Sequence, residues 1–370
     1  MKSLKQGAVL LGVALAAAFL SPSGHARTGI ASDNVTYVKT VPIDAGFPSG
    51  ARKVGKYLYV SGVRQLSIYD VSKPLDPQLI STTPIGVQPF NEDVDTNGKI
   101  LLTSEDSGRD MLHVWDVADR ESPRQLAELG GMNDHTYTCV LRCKWAYGSR
   151  GSVVDLRRPA RPRLVGEWAD LPNSDGFDVT EVAPGRVLTS SRVIQFLDAR
   201  KDAARPASLA AGTTPDNRLI HSNLWPRGGR DNFFLVQGET PFSGRCNNES
   251  GAFMTWDATT WRRNRTFRLL DEFRVSNGTY TDGRPAAGVF GCTTMWFDDH
   301  PTFRNGGLVA TAFFEHGTRF LQVSKKGKIS EVGYFMPAAG STIAAYWITD
   351  KIVYAIDIYR GIDILRFDAR

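Results

Sequence analysis

The chain of 370 residues is poor in the side chains that most often carry chemistry, with six histidines and four cysteines. It has no Gly-rich phosphate loop, no serine in a Gly-x-Ser-x-Gly elbow and no dinucleotide fingerprint after a strand, which removes the commonest nucleotide-dependent and serine-hydrolase readings. Its most apolar run, Ala8 to Leu20, has 13 residues against the ~20 that a membrane-spanning helix needs. Lysine and arginine exceed aspartate and glutamate by 44 to 39, a net +5. The positive residues are scattered along the chain apart from small groups such as Arg157–Arg158 and Arg262–Arg263. No basic stripe of the nucleic-acid-binding kind is present.

The N-terminus joins Lys2 and Lys5 to that short apolar run, a break at Pro22 and small residues up to Ala26. These are the parts of a secretory signal peptide, so residues 1–26 are expected to be cleaved and the mature protein to be secreted, periplasmic or on the cell surface. Loss of Lys2 and Lys5 lowers the formal charge from +5 to +3. In an exported chain an even cysteine count favours disulfides. Cys139 and Cys143 flank a short turn and suit a hairpin-end bridge, which leaves Cys246 and Cys292 to pair by elimination. Four cysteines allow three pairings, and the zinc alternative lacks ligands at finger-like spacing.

What the chain has in quantity is a repeat. A short apolar strand ends in an aromatic or apolar residue plus Asp, and usually a Pro and another strand follow. The marked last residues are Asp70, Asp116, Asp155, Asp198, Asp257, Gln322 and Arg366, separated by 46, 39, 43, 59, 65 and 44 residues. Each copy divides into short alternating strands bounded by Gly, Pro, Asn or Asp. Four strands in roughly 40 residues is the composition of a β-propeller blade. The seventh copy lacks a fourth strand, but Val35–Ile43 matches the fourth-strand segment Pro77–Ile85, both closing on Pro-Ile. The expectation is therefore an all-β chain with 27–34 flexible and a single propeller over 35–370. It has seven four-stranded blades, and the N-terminal strand completes the last. The marked Asp, replaced in copies six and seven, reads as a turn residue.

The wording of the blades, LSIYDVSKP at Leu66–Pro74 with PQLI at Pro77–Ile80, LHVWDVAD at Leu112–Asp119 and PRLVG at Pro162–Gly166, resembles the LVIVD-repeat proteins. The resemblance covers nearly all of 35–367. It implies a bacterial or archaeal propeller, often exported, and it implies no single activity.

Propeller topology places the start of each inner strand and the loop between second and third strands on one face, where by analogy ligands bind. The inner strands start near Glu92, Asp93, Asp134, His135, Asp178 and His221; the loops add Ser104–Asp106, Gln237–Glu239, Phe314–His316 and Tyr359–Gly361. The collected candidates are Glu92, Asp93, Asp134, His135, Asp178, His221, Glu315 and His316. Carboxylates with neutral imidazoles can hold a divalent metal or act as acid and base. The tract Trp296–Pro301 reads as a turn leading into Gly307–Ala312, with His300 on the opposite face. The leading expectation is an exported binding propeller for a small molecule or an extracytoplasmic protein, with no nucleic-acid partner. A metal-dependent or acid–base enzyme and a surface scaffold are the alternatives.

Overall fold

The computed structural model describes residues 29–43, 46–88, 91–106, 109–168, 176–214, 219–239, 251–275 and 293–369. The expected signal peptide and the cysteines Cys246 and Cys292 lie outside these residues.

The described strands form seven antiparallel sheets, each of four consecutive positions from inner to outer edge. Inner strands start blades one to seven at Pro48–Val54, Asp95–Thr96, Tyr137–Val140, Asp178–Ala183, Ile220–Leu224, Phe297–Asp299 and Thr342–Trp347. The fourth strand of blade seven is Val35–Val41, which pairs with Gly361–Phe367 in the register Val35↔Phe367 to Val41↔Ile362. The ring closes as the Pro-Ile match implies. Gly29–Ala31, within the segment expected to be flexible, instead pairs with Pro337–Phe335 and gives blade six a fifth strand. Its backbone groups complete an edge that would otherwise face solvent unpaired.

Seven hydrophobic clusters fill the seven gaps between neighbouring blades. Leu58 and Val60 of blade one, for example, pack with Tyr354 and Ile364 of blade seven, and Leu188 and Phe196 of blade four pack with Phe234 and Trp256 of blade five. The second and third strands are thus buried on both faces in their middles, as a sheet sandwiched between two others requires, while fourth strands such as Arg163–Glu167 stay largely exposed.

The pairing of third and fourth strands carries the same irregularity in every blade. One residue of the fourth strand bulges out of register: Val38, Ile80, Leu126, Val165, Leu209, Leu270 and Val332. All seven are aliphatic. A bulge sharpens the right-handed twist, which splays the outer edge of each blade. That Val38 occupies this position identifies Val35–Val41 as a true fourth strand.

The repeat aspartates are turn residues. Asp70, Asp116, Asp155, Asp198 and Asp257 each accept a hydrogen bond from the backbone N–H two residues on, at 2.8–3.1 Å. This Asx geometry turns the chain from third to fourth strand. Cys139 and Cys143 form a disulfide with Cα atoms 4.3 Å apart. It clamps a hairpin tip in which Leu141, Arg142 and Cys143 have φ of 53°, 62° and 57°, a left-handed run that is unfavourable for residues with a Cβ.

Two measurements follow. Removing residues 29–42 exposes the edge of Gly361–Phe367 and should convert a monodisperse protein into aggregates by light scattering; an unchanged monomer would contradict the closure. Replacing Cys139 and Cys143 by Ala should lower unfolding free energy by about 2 kcal/mol in denaturant titrations, the loop-closure value for so short a bridge.

Candidate functional site

The turn between fourth and inner strands delivers Glu92 ahead of blade two and His135 ahead of blade three, while His221 lies within the inner strand Ile220–Leu224 of blade five. Their local backbones are fixed by neighbours. Asn91 accepts from Ser104 N–H at 3.3 Å, His135 N–H donates to Ser149 Oγ at 3.0 Å, and Ser222 Oγ donates to Met295 O at 2.6 Å.

Three side chains converge on one point. Glu92 Oε2 lies 2.8 Å from His135 Nε2 and 3.2 Å from His221 Nε2. One ligand atom from each lies within 4.8 Å of the others. Both imidazoles are buried, at 4 % and 0 % exposure. The other nitrogen of His135, Nδ1, hydrogen-bonds Asp106, whose two oxygens receive Arg150 at 3.0 Å each. Glu239 Oε2 stands 3.9 Å from His221 Nε2. Aromatic rings wall the cluster. Phe177 lies 4.7 Å from His135 and 5.2 Å from His221 between ring centroids, and Trp296 lies 5.1 Å from His221.

The electrostatics follow from burying unlike charges together. Burial would raise the Glu92 carboxyl, but the His135 charge and hydrogen bonds from both imidazoles outweigh it and hold the group well below the usual range. Burial opposes protonation of His135, yet Glu92 and Asp106 on either side push it up to about 10. His221 is also raised, burial being offset by Glu239 and Glu92. Burial pushes the Glu239 carboxyl up to about 7.

Of the remaining expected residues, Asp178 lies beside the cluster. It accepts from Asn223 N at 3.1 Å and Nδ2 at 3.2 Å, and burial, opposed by Asn223 and His221, raises it to about 6. Asp93 lines the central channel below, raised by burial and by Asp178 and Asp95. The other three do not join the cluster. Asp134 is folded into blade three, accepting Arg150 N–H at 2.6 Å and the Ser152 hydroxyl. Glu315 accepts from Ser341 Oγ at 3.2 Å. His316 sits in a tight turn, where its N–H donates to Phe313 O, and its ring meets Arg319 at 3.3 Å. Burial and Arg319 lower its pKa to about 4.

The tract at Trp296 needs correction: Phe297–Asp299 is itself the inner strand of blade six, paired with Val309–Thr311, so Trp296 stands at the channel. His300 is structural, bonded to Asp350 O at 2.9 Å and Thr302 Oγ1 at 2.8 Å. Asp106 and Glu239 were placed on the rim by topology but not among the collected candidates; a carboxylate ending a second strand opposite a channel histidine is the signal that finds them. Beneath the cluster a channel cavity of about 550 Å³ is lined by inner strands of all seven blades and contains Arg52, Asp93, Asp95, Asp178, Asp298 and Tyr346.

Chemically, the two imidazoles and Glu92 form a two-histidine, one-carboxylate donor set. Ligand atoms about 2.0–2.2 Å from one ion sit roughly 3–3.5 Å from each other, close to the 2.8 and 3.2 Å separations observed. An imidazole whose second nitrogen is held by a carboxylate is the outer arrangement that orients metal ligands. Among the described residues this is the one such group.

The fold and site define a class: a seven-bladed β-propeller with a buried His/Glu cluster at the mouth of its channel. No family model matches the chain, and no curated protein matches it. Among solved structures, the WD40 β-propeller domain of Doa1 is similar, with a TM-score of 0.58 and 12 % identity over 91 % of this chain and 98 % of that one. At that identity the likeness shows the propeller fold alone. No helix among the described residues is long and apolar enough to cross a membrane.

In the metal-free protein the His135 imidazolium should titrate near pH 10 by NMR. Its raised pKa contributes stability that is fully present below about pH 6.5 and lost as pH rises through 10. Titration near pH 6.5 would contradict the buried ion pairs. Glu92→Gln should destabilise the fold by about 2 kcal/mol at neutral pH, because it removes one of the two carboxylates that flank the buried imidazolium.

Proposed function

We propose that the protein is an exported, LVIVD-like binding propeller that holds a divalent transition-metal ion at the mouth of its central channel and uses it to capture a small ligand. The carrying observation is the convergence of His135 Nε2, His221 Nε2 and Glu92 Oε2 within 4.8 Å. His135 and His221 would each give one nitrogen, and Glu92 one oxygen. Asp106, itself gripped by Arg150, would keep the proton of His135 on Nδ1 and its Nε2 lone pair on the ion. Two imidazoles and one carboxylate leave coordination positions open, so the bound ion would carry an exchangeable ligand. Phe177 and Trp296 would exclude bulk water from one side and strengthen the charge interactions within.

Metal must displace the protons that the imidazoles hold, so binding should release protons and strengthen as pH rises from 6 to 9. Elemental analysis of tag-free protein should find close to one equivalent of a transition metal. His135→Ala and His221→Ala should lose it while retaining the propeller's circular dichroism. Wild-type protein that takes up no zinc, nickel, manganese or iron(II) by calorimetry at any pH in that range would defeat the proposal.

A second reading, a metal-dependent acid–base enzyme, is favoured by Glu239, whose carboxyl is raised to about 7 beside His221. It would require a turnover that Glu239→Gln abolishes with metal content intact; an activity indifferent to that change excludes the role.

A further inference from the structure

Positive charge that is scattered in sequence is gathered in space. In an antiparallel four-stranded blade, the hairpin joining first to second strand and the connection joining third to fourth lie on the same face of the disc. That face is opposite the mouth holding Glu92, His135 and His221. On it, the third-to-fourth connections of blades three, four, five and six, residues 156–162, 199–206, 258–267 and 324–328, carry three lysines or arginines each. Asp202 is the one acid within these four segments. Almost all of the twelve basic side chains are exposed. The first-to-second hairpins of the same blades add Arg142, Lys144, Arg227, Arg230 and Arg304 against Asp231. Blades one and two are different: connection 71–77 has Lys73 and Asp76, and 117–123 has Arg120 between Asp119 and Glu121. The charge is thus a contiguous sector covering four neighbouring blades.

Part of this charge is tied down. Arg157 pairs with Asp155 at 2.5 Å, Arg200 with Asp198 at 2.9 Å and Lys328 with Asp271 at 3.1 Å. Asp155 and Asp198 end third strands and Asp271 lies within the fourth strand Arg268–Phe273; subtracting all three leaves the sector strongly positive. The densest point is blade three, where Arg157, Arg158, Arg161 and Arg163, with the single carboxylate Asp155, line a shallow cavity of about 420 Å³. Beside it, Leu164 and Val165 are exposed at 49 % and 39 %.

We infer that this sector is a docking face for a membrane surface rich in anionic phosphate headgroups. A cationic field spread over four blades matches a planar array of phosphates better than one small anion, which would use the blade-three cavity alone. Exposed aliphatic side chains beside arginines are the composition of an interfacial contact, where apolar groups enter the headgroup boundary and cations meet phosphate. Docking by this face would leave the Glu92–His135–His221 mouth turned away from the membrane and open to solution. The inference does not depend on whether that mouth holds metal.

The test uses the mature chain, residues 27–370, with vesicles of equal parts phosphatidylglycerol and phosphatidylcholine or of phosphatidylcholine alone, in sedimentation assays. Binding is expected only to the anionic vesicles. It should be strong at about 20 mM salt and largely lost at about 500 mM, where the Debye length shrinks below 5 Å. A variant with Arg157→Glu, Arg158→Glu, Arg161→Glu, Lys325→Glu and Lys326→Glu should bind at least roughly a hundredfold more weakly, each cation being a separate contribution. Arg64→Glu, in the second-to-third-strand loop of blade one on the opposite face, should bind as wild type does. Unchanged thermal unfolding of the five-site variant verifies its fold. The proposal is overturned if anionic vesicles are not bound at low salt or if the five-site variant binds normally. Retention by heparin or duplex DNA without vesicle binding would also overturn it, in favour of a soluble polyanion.

Discussion

The pairing of Val35–Val41, near the start of the described chain, with Gly361–Phe367, its last strand, closes the ring, and the remaining architecture depends on it. Each blade buries its two faces only against its neighbours, so an open row would leave two apolar sheets in water. Closure supplies the seventh interface, in which Leu58 and Val60 meet Tyr354 and Ile364. It also fixes the functional geometry. Seven inner strands held in a ring bring His135 and His221, the latter 129 positions from Glu92 in sequence, each to within hydrogen-bond distance of Glu92.

At that mouth the protein keeps charge out of water, which burial alone would forbid. Glu92 is tolerable because two imidazoles face it, His135 because two carboxylates flank it, and Asp106 because Arg150 grips it. Each member is held by the next, so the cluster is a preorganised set of unlike charges. That is the condition under which a cation can replace protons without rearranging the backbone. The opposite face carries exposed cations and, among the described residues, no second cluster of histidines and carboxylates close enough to share an ion. The disc is thereby two-sided, with a buried, paired site at one mouth and a solvated basic sector at the other.

The fold was legible because blade repeats leave a local mark: apolar strands at near-constant spacing, the turn aspartates, and the Pro-Ile match that places Val35–Ile43 in the last blade. Glu92, His135 and His221 were legible because inner-strand starts share a mouth in any propeller. His316 misled because it also borders a turn on that face, but the tight turn at Phe313–Gly317 folds its ring onto Arg319 instead. Trp296 was assigned to a turn because the inner strand that follows it, Phe297–Asp299, is only three residues long. Gly29–Ala31 carries no strand signal of its own, and its pairing is dictated by the edge of Ile329–Pro337. The basic sector was invisible because its members recur once per blade, and a spacing of some forty residues looks like scatter until the ring is closed.

The most direct test of the account is anomalous diffraction from crystals soaked in a transition metal, recorded above and below that metal's absorption edge. The account predicts one strong anomalous peak at the channel mouth, about 2.0–2.2 Å from His135 Nε2, His221 Nε2 and a Glu92 oxygen, with Asp106 still on His135 Nδ1. A map without a peak there, at full occupancy of the soak and with the imidazoles still hydrogen-bonded to Glu92, would contradict it and leave the cluster as a buried ion network.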